Sequence, residues 1–252
     1  MMSQRPPLWG YPLGVVTLLL WIGILLLPFS TSTDSSVGVI SYGVPVIGSA
    51  AALGMIVALL GGLRLSTGQA IPMAAGSALI TSIALSWMVA PDPLVSGKRF
   101  LVNLIGFALF SIFLAQAGQP EEHERRFFSG TVKATVLSGS LIGVYYLAHA
   151  TLVIAQYGIG AVALRGVGQL MSLRWGASNT IAGILVPIAF LGIYQWHTAQ
   201  RRRLIWFVCV ILMMCTVLLT LSKGANIALG VGLILFFLAL RHVRFLLVFA
   251  TL

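Results

Sequence analysis

Leu204-Ile205-Trp206-Phe207-Val208-Cys209-Val210-Ile211-Leu212-Met213-Met214-Cys215-Thr216-Val217-Leu218-Leu219-Thr220-Leu221 runs for eighteen residues without a charge. Arg201-Arg202-Arg203 precedes it and Ser222-Lys223-Gly224 follows it. Hydrocarbon offers no partner to backbone N–H and C=O groups. A segment that crosses it must therefore satisfy them internally, as an α-helix of roughly 20 apolar residues. This run has that length and composition, with cations held at both ends. Cys209 and Cys215 stand six apart within it, on different faces of a helix, and so imply neither a disulfide nor a metal.

Seven further segments read the same way: Tyr11–Phe29, Tyr42–Leu63, Ile71–Ala90, Phe100–Ala117, Val132–Gln156, Asn179–Trp196 and Asn226–Leu240. The whole chain agrees with them. Of its 252 residues 59% are hydrophobic and 8% charged, and the mean hydropathy is +1.02. A water-soluble domain carries about a quarter charged residues, and a disordered chain has the opposite composition. The fold class predicted is all-α: a polytopic bundle forming one transmembrane domain over residues 1–252, with eight complete spans. The first span lacks a clear A-x-A site and is read as an uncleaved helix rather than a signal peptide. A ninth apolar run, Phe245–Leu252, is too short to cross. It predicts a chain that continues past Leu252. Pro45 and Pro187 fall inside spans and are expected to kink them, and Gly139 and Gly143 form a GxxxG pair suited to close helix packing.

Fifteen Lys and Arg against five Asp and Glu give a net charge of +10. On a soluble protein this excess would suggest nucleic acid; here it reports on orientation, and no nucleic-acid partner is predicted. Cytoplasmic loops retain Lys and Arg. With Arg5 inside, ten cations fall on the cytoplasmic side, Arg201–Arg203 foremost among them, and five fall outside: Lys98, Arg99, Arg165, Arg174 and Lys223. The N-terminus is thus predicted to be cytoplasmic. The five outward cations run against the bias, and only Asp34 and Asp92 share their side. Singly they would be snorkelling headgroup contacts. As a set poor in carboxylates they suit a diphosphate or acidic sugar, to which Arg offers a planar fork and Lys a point charge.

Arg165 and Arg174 lie in a loop, Gly158–Ser178, that also holds Gly160, Gly166, Gly168 and Gly176. Ser178 or Asn179 is placed to cap the following helix, whose N-terminal N–H groups would then sit beside Arg174. Lys223 stands in a very short turn with Ser222. No Asp, Glu, Lys or Arg lies at the middle of any span, where ion-coupled transporters usually carry one. His123, His197 and His242 fall in or beside cytoplasmic loops, whereas His149 lies toward the outer half of its span near Tyr145 and Tyr146. Metal and nucleotide motifs are lacking, so no cofactor is predicted.

Two of these stretches resemble a known family. Arg174-Trp175-Gly176-Ala177-Ser178-Asn179-Thr180-Ile181-Ala182-Gly183 resembles the Arg, Gly, Asn and small-residue segment that opens a helix in the O-antigen ligase/polymerase superfamily. Leu219-Thr220-Leu221-Ser222-Lys223-Gly224-Ala225 resembles that family's Ser-Arg-Gly turn, with Lys223 in the place of the arginine. The similarity spans about residues 160–240. It implies a bacterial inner-membrane glycosyltransferase of the GT-C type. Such an enzyme takes a glycan from an undecaprenyl-diphosphate carrier on the periplasmic face and needs no metal. The acceptor in the family is another glycan, lipid A-core or a protein hydroxyl. The resemblance also implies that Arg174, Lys223 and Arg165 occupy diphosphate positions, and that a large periplasmic loop follows the spans present here.

The chemistry expected is transfer from a lipid diphosphate. As the anomeric C–O bond breaks, charge grows on the diphosphate oxygens, and fixed cations stabilise it most in the transition state. Arg174, Lys223 and Arg165 are assigned to this task, with Lys98 and Arg99 as outer contacts and Asn179 and Ser222 in support. No catalytic base is identified; Asp92, in Pro91-Asp92-Pro93, reads as a turn residue. The alternatives are a transporter or flippase for a lipid-linked or anionic solute, and a non-catalytic membrane subunit whose cations bind lipid.

Overall fold

A computed structural model of the chain describes residues 10–26, 43–60, 67–116, 121–160 and 178–239. Every regular element among them is an α-helix: α1 Gly10–Leu26, α2 Gly43–Leu60, α3 Thr67–Met88, α4 Pro93–Gln116, α5 Glu121–Tyr157, α6 Ser178–Thr198, α7 Arg203–Leu219 and α8 Lys223–Ala239. Each coincides with one of the eight apolar segments. Three stretches, Gln69–Met88, Glu124–Tyr157 and Thr180–Thr198, are long and apolar enough to cross a membrane; α1, α4, α7 and α8 hold shorter apolar stretches. The run Phe245–Leu252 lies outside the described residues.

Two helices begin well before their apolar segments. Helix α4 starts at Pro93, not Phe100, so Lys98 and Arg99 belong to its second turn rather than to a loop. Proline needs no N–H at the first helical position. The Asp92 carbonyl accepts the Ser96 N–H at 3.1 Å, which makes Asp92 the cap. Helix α5 starts at Glu121 rather than Val132 and runs 37 residues, about 55 Å. Its first turns, Glu121-Glu122-His123-Glu124-Arg125-Arg126, are polar yet helix-forming. Carboxylates sit at the N-terminal end of the dipole, and Glu122 pairs with Arg126 one turn on. Pro45 lies in the first turn of α2, where no intrahelical N–H is required, and breaks nothing. The prolines interior to helices are Pro72 in α3 and Pro187 in α6.

The chain divides into two compact units, residues 1–134 and 135–252. In the first, α2 packs on α1 and α4, and α3 packs on α4. The core is Val16, Leu20, Ile47, Ala50, Ile112 and Phe127. The rings of Phe113, Phe127 and Phe128 meet at 5.1–5.7 Å. Trp21 of α1 donates its indole N–H to Thr131 Oγ1 at 3.1 Å and lies against Gly130. Gln69 anchors α3 by donating to the Leu114 carbonyl at 2.9 Å.

The second unit holds the rest of α5 with α6, α7 and α8. Helices α5 and α7 run parallel: a Cβ on Gly139 would lie 2.9 Å from Met213 Sδ, one on Gly143 would lie 3.3 Å from the Leu212 carbonyl oxygen, and Tyr146 reaches the Leu219 carbonyl at 3.5 Å. The GxxxG pair thus brings α5 against α7, as its spacing predicts, and Gly139 also faces Ile188 of α6. Thr216, fully buried, donates to the Leu212 carbonyl at 2.8 Å in its own helix and lies 3.3 Å from the Gly143 carbonyl across the interface. Thr216→Val keeps the shape and removes these bonds. Interhelical bonds of this kind average about 0.6 kcal/mol and reach about 1.7. A loss of that size is expected in an SDS-unfolding titration followed by circular dichroism; an unchanged midpoint would assign the interface to packing alone.

Candidate functional site

The turn from α7 to α8 is built from Thr220, Leu221 and Ser222. Thr220 closes α7, its N–H donating to the Thr216 carbonyl at 3.0 Å and its hydroxyl to the Val217 carbonyl at 2.6 Å. Leu221 reverses the chain with φ of 53°, a left-handed conformation that residues other than glycine rarely adopt. Ser222, buried, opens α8. Its carbonyl accepts the Asn226 N–H at 2.9 Å, and its hydroxyl lies 3.5 Å from the Ala225 N–H. Its own N–H donates to Thr220 Oγ1 at 3.3 Å. Lys223 is therefore the first helical residue of α8, and it is exposed.

Three local preferences are broken within six residues. A leucine occupies the left-handed region at Leu221. A cation stands at the helix start, where the macrodipole disfavours positive charge by about 0.3–1 kcal/mol. In the first turn of α8, Asn226 Oδ1 is buried with no hydrogen-bond partner among the described residues, a carbonyl oxygen that desolvation penalises unless something donates to it. Folded sequences concentrate such violations where function requires them.

A second helix start lies at the same end of this unit. Helices α6 and α8 are each joined to α7 by a short turn, so they run parallel to one another, and they pack together, with Phe190 against Gly232. From that contact α6 extends back to Ser178, about 18 Å, and α8 back to Lys223, about 14 Å. Two N-termini, each worth roughly +0.5 charge, thus stand at similar height beside the Lys223 ammonium. Residues 135–252 contain no Asp or Glu, so this unit has no carboxylate to neutralise them. The Arg201–Arg203 turn occupies the opposite end, separated by the 17 residues of α7, about 25 Å.

Of the predicted site residues, Ser222 and Lys223 are adjacent at the start of α8, and Asn179 is the second residue of α6 at the same end. Lys98 and Arg99 belong to the first unit, on α4. Arg165 and Arg174, with the glycine-rich stretch 161–177, lie outside the described residues. Gly158 ends α5 with φ of +80°, its N–H bonded to the Ile154 carbonyl at 2.9 Å, the left-handed terminus that glycine supplies without strain. Asp92, weighed as a base, is the cap of α4.

His149 lies one turn beyond Tyr146 on α5. The contacts of Gly143 with Thr216 and of Tyr146 with Leu219 carry it toward the C-terminal end of α7. It is half-buried, its ring is 4.1 Å from that of Tyr145, and Nδ1 is 3.2 Å from the Tyr145 carbonyl. Asn226 was missed by sequence reasoning: an Asn opening a helix looks like an ordinary polar end residue, and the one available signal was its place four residues after Ser222.

Comparison with protein-family models, with curated proteins and with solved structures returns no match.

Proposed function

We propose that this chain belongs to a membrane glycosyltransferase that takes a glycan from an undecaprenyl-diphosphate carrier and passes it to an acceptor hydroxyl. In this reading all eight helices cross the bacterial inner membrane, and the α7–α8 turn lies at the periplasmic rim. The observation that favours it is the Leu221–Asn226 turn. There an exposed Lys begins a helix against the dipole preference, beside a second, parallel helix start, in a unit without a single carboxylate. An anionic headgroup is the partner that suits such a place. The segment is also one of the two that resemble the O-antigen ligase/polymerase superfamily.

The leaving diphosphate gains negative charge as the anomeric C–O bond breaks, and the Lys223 ammonium and the helix N–H groups are assigned to stabilise that charge. Arg174 and Arg165 are assigned to the same oxygens, with Asn179 and Ser222 in support. The attacking hydroxyl gives up its proton as the new C–O bond forms. His149, on the stretch of α5 that runs toward the end of α7, is the group assigned to receive it.

The test is reconstitution of the full-length protein in liposomes with a polyprenyl-diphosphate-linked oligosaccharide and an acceptor glycan. Extension or transfer of the glycan is the expected result. Movement of the lipid-linked donor between leaflets without transfer would replace this reading with a flippase. Reporter fusions check the topology independently: a fusion after Gly224 should report the periplasm and one after Arg202 the cytoplasm. Both on one side would remove the site from the rim.

A further inference from the structure

Independently of the proposed activity, we infer that the α6–α7 turn is a binding site for the phosphate of an anionic phospholipid. The turn carries three consecutive exposed arginines, Arg201, Arg202 and Arg203. Arg202 is held in the left-handed region, φ 60° and ψ 29°, and makes no side-chain capping bond. That conformation is unfavourable for an arginine and is not offset by a side-chain cap. Arg203 is fixed differently, its Nε donating to the Ala199 carbonyl at 2.6 Å across the base of the turn. With no Asp or Glu anywhere in residues 135–252, the cluster has no counter-ion in its own unit.

What adjoins the arginines identifies the ligand as a lipid rather than a soluble anion. The first turns of α7 expose Leu204, Ile205, Phe207 and Val208 immediately beside the guanidinium groups. Phe207 packs against Trp196 of α6 with ring centroids 5.4 Å apart. A fixed aromatic pair below a cationic turn is the arrangement found at the headgroup boundary of a bilayer. A free phosphate would use the arginines and leave the apolar surface wet; a phospholipid covers both. A zwitterionic headgroup brings an ammonium that finds no carboxylate here, so a headgroup with net negative charge is favoured.

The experiment is native mass spectrometry of the purified full chain. It is released from micelles containing equal amounts of phosphatidylglycerol and phosphatidylcholine with identical acyl chains. Phosphatidylglycerol should be retained at least about tenfold over phosphatidylcholine, and each neutralised arginine should lower that ratio roughly fivefold. Arg201→Gln with Arg202→Gln should therefore abolish the preference, while Arg201→Lys with Arg202→Lys should keep most of it. Arg203 is left intact because it holds the turn. Equal retention of the two lipids by the unaltered protein would overturn the inference, without depending on whether any variant folds. So would complete displacement of phosphatidylglycerol by millimolar inorganic phosphate, which would show a site for free anions.

Discussion

Lys223→Ala is expected to lower glycan transfer by about a hundredfold through kcat, the cost of removing one preorganised electrostatic contact to a developing anion. Lys223→Arg should retain activity, since the guanidinium reaches the same oxygens with a bidentate fork. Stability should move the other way. Lys223 opens α8 against the macrodipole, so its removal should leave stability unchanged or raise it by about 0.3–1 kcal/mol. This opposition separates a ligand contact from a structural one. Loss of transfer together with loss of stability would make Lys223 a structural residue. Normal surface glycan on a gel, with normal membrane abundance of the Lys223→Ala protein, would remove it from the mechanism altogether. Arg174→Ala should give the same loss of transfer, because the mechanism places it on the same diphosphate.

The helices were legible because the constraint behind them leaves little freedom: an apolar run of sufficient length has to satisfy its own backbone. All eight fall where hydropathy puts them, and the ends differ where chemistry other than hydropathy decides. Helix α4 gains two turns from Asp92 as cap and Pro93 at the first position. Helix α5 gains three from a stretch whose charges read as a loop but whose pairing, Glu122 with Arg126, favours a helix. In the candidate site Lys223 was visible because a cation in so short a turn stands out. Leu221 was not, since nothing about a leucine announces a positive φ. Nor was the buried oxygen of Asn226, because whether a polar atom finds a donor depends on neighbours that sequence does not supply. The Gly139/Gly143 pair was legible as packing, but its partners, Met213 and Thr216 of α7 and Ile188 of α6, follow only from how the helices pack.

That glycine pair predicts the largest loss of stability. A Cβ at Gly143 would sit 3.3 Å from the Leu212 carbonyl oxygen and 3.2 Å from Thr216 Oγ1. The first is backbone of a helix and cannot rotate away. The second is buried and already bonded to Leu212. Gly143→Leu must therefore push α5 off α7, breaking the Thr216 and Tyr146 contacts along with the packing, at a cost of about 3 kcal/mol. At Gly139 the nearest atoms are Ile188 Cγ2 at 2.7 Å and Met213 Sδ at 2.9 Å, both side-chain atoms. Met213 adapts but the β-branched Ile188 must shift, so Gly139→Ala should cost about 1–2 kcal/mol. Gly230 in α8 has nothing within 4 Å of its virtual Cβ. There alanine should stabilise by roughly 0.5–1 kcal/mol through helix propensity alone. The order of SDS-unfolding midpoints should be Gly230→Ala above the unaltered protein, then Gly139→Ala, then Gly143→Leu. A Gly143→Leu protein as stable as the unaltered one would mean that α5 and α7 do not approach at this point. The register that carries His149 toward the end of α7 would then be lost with it.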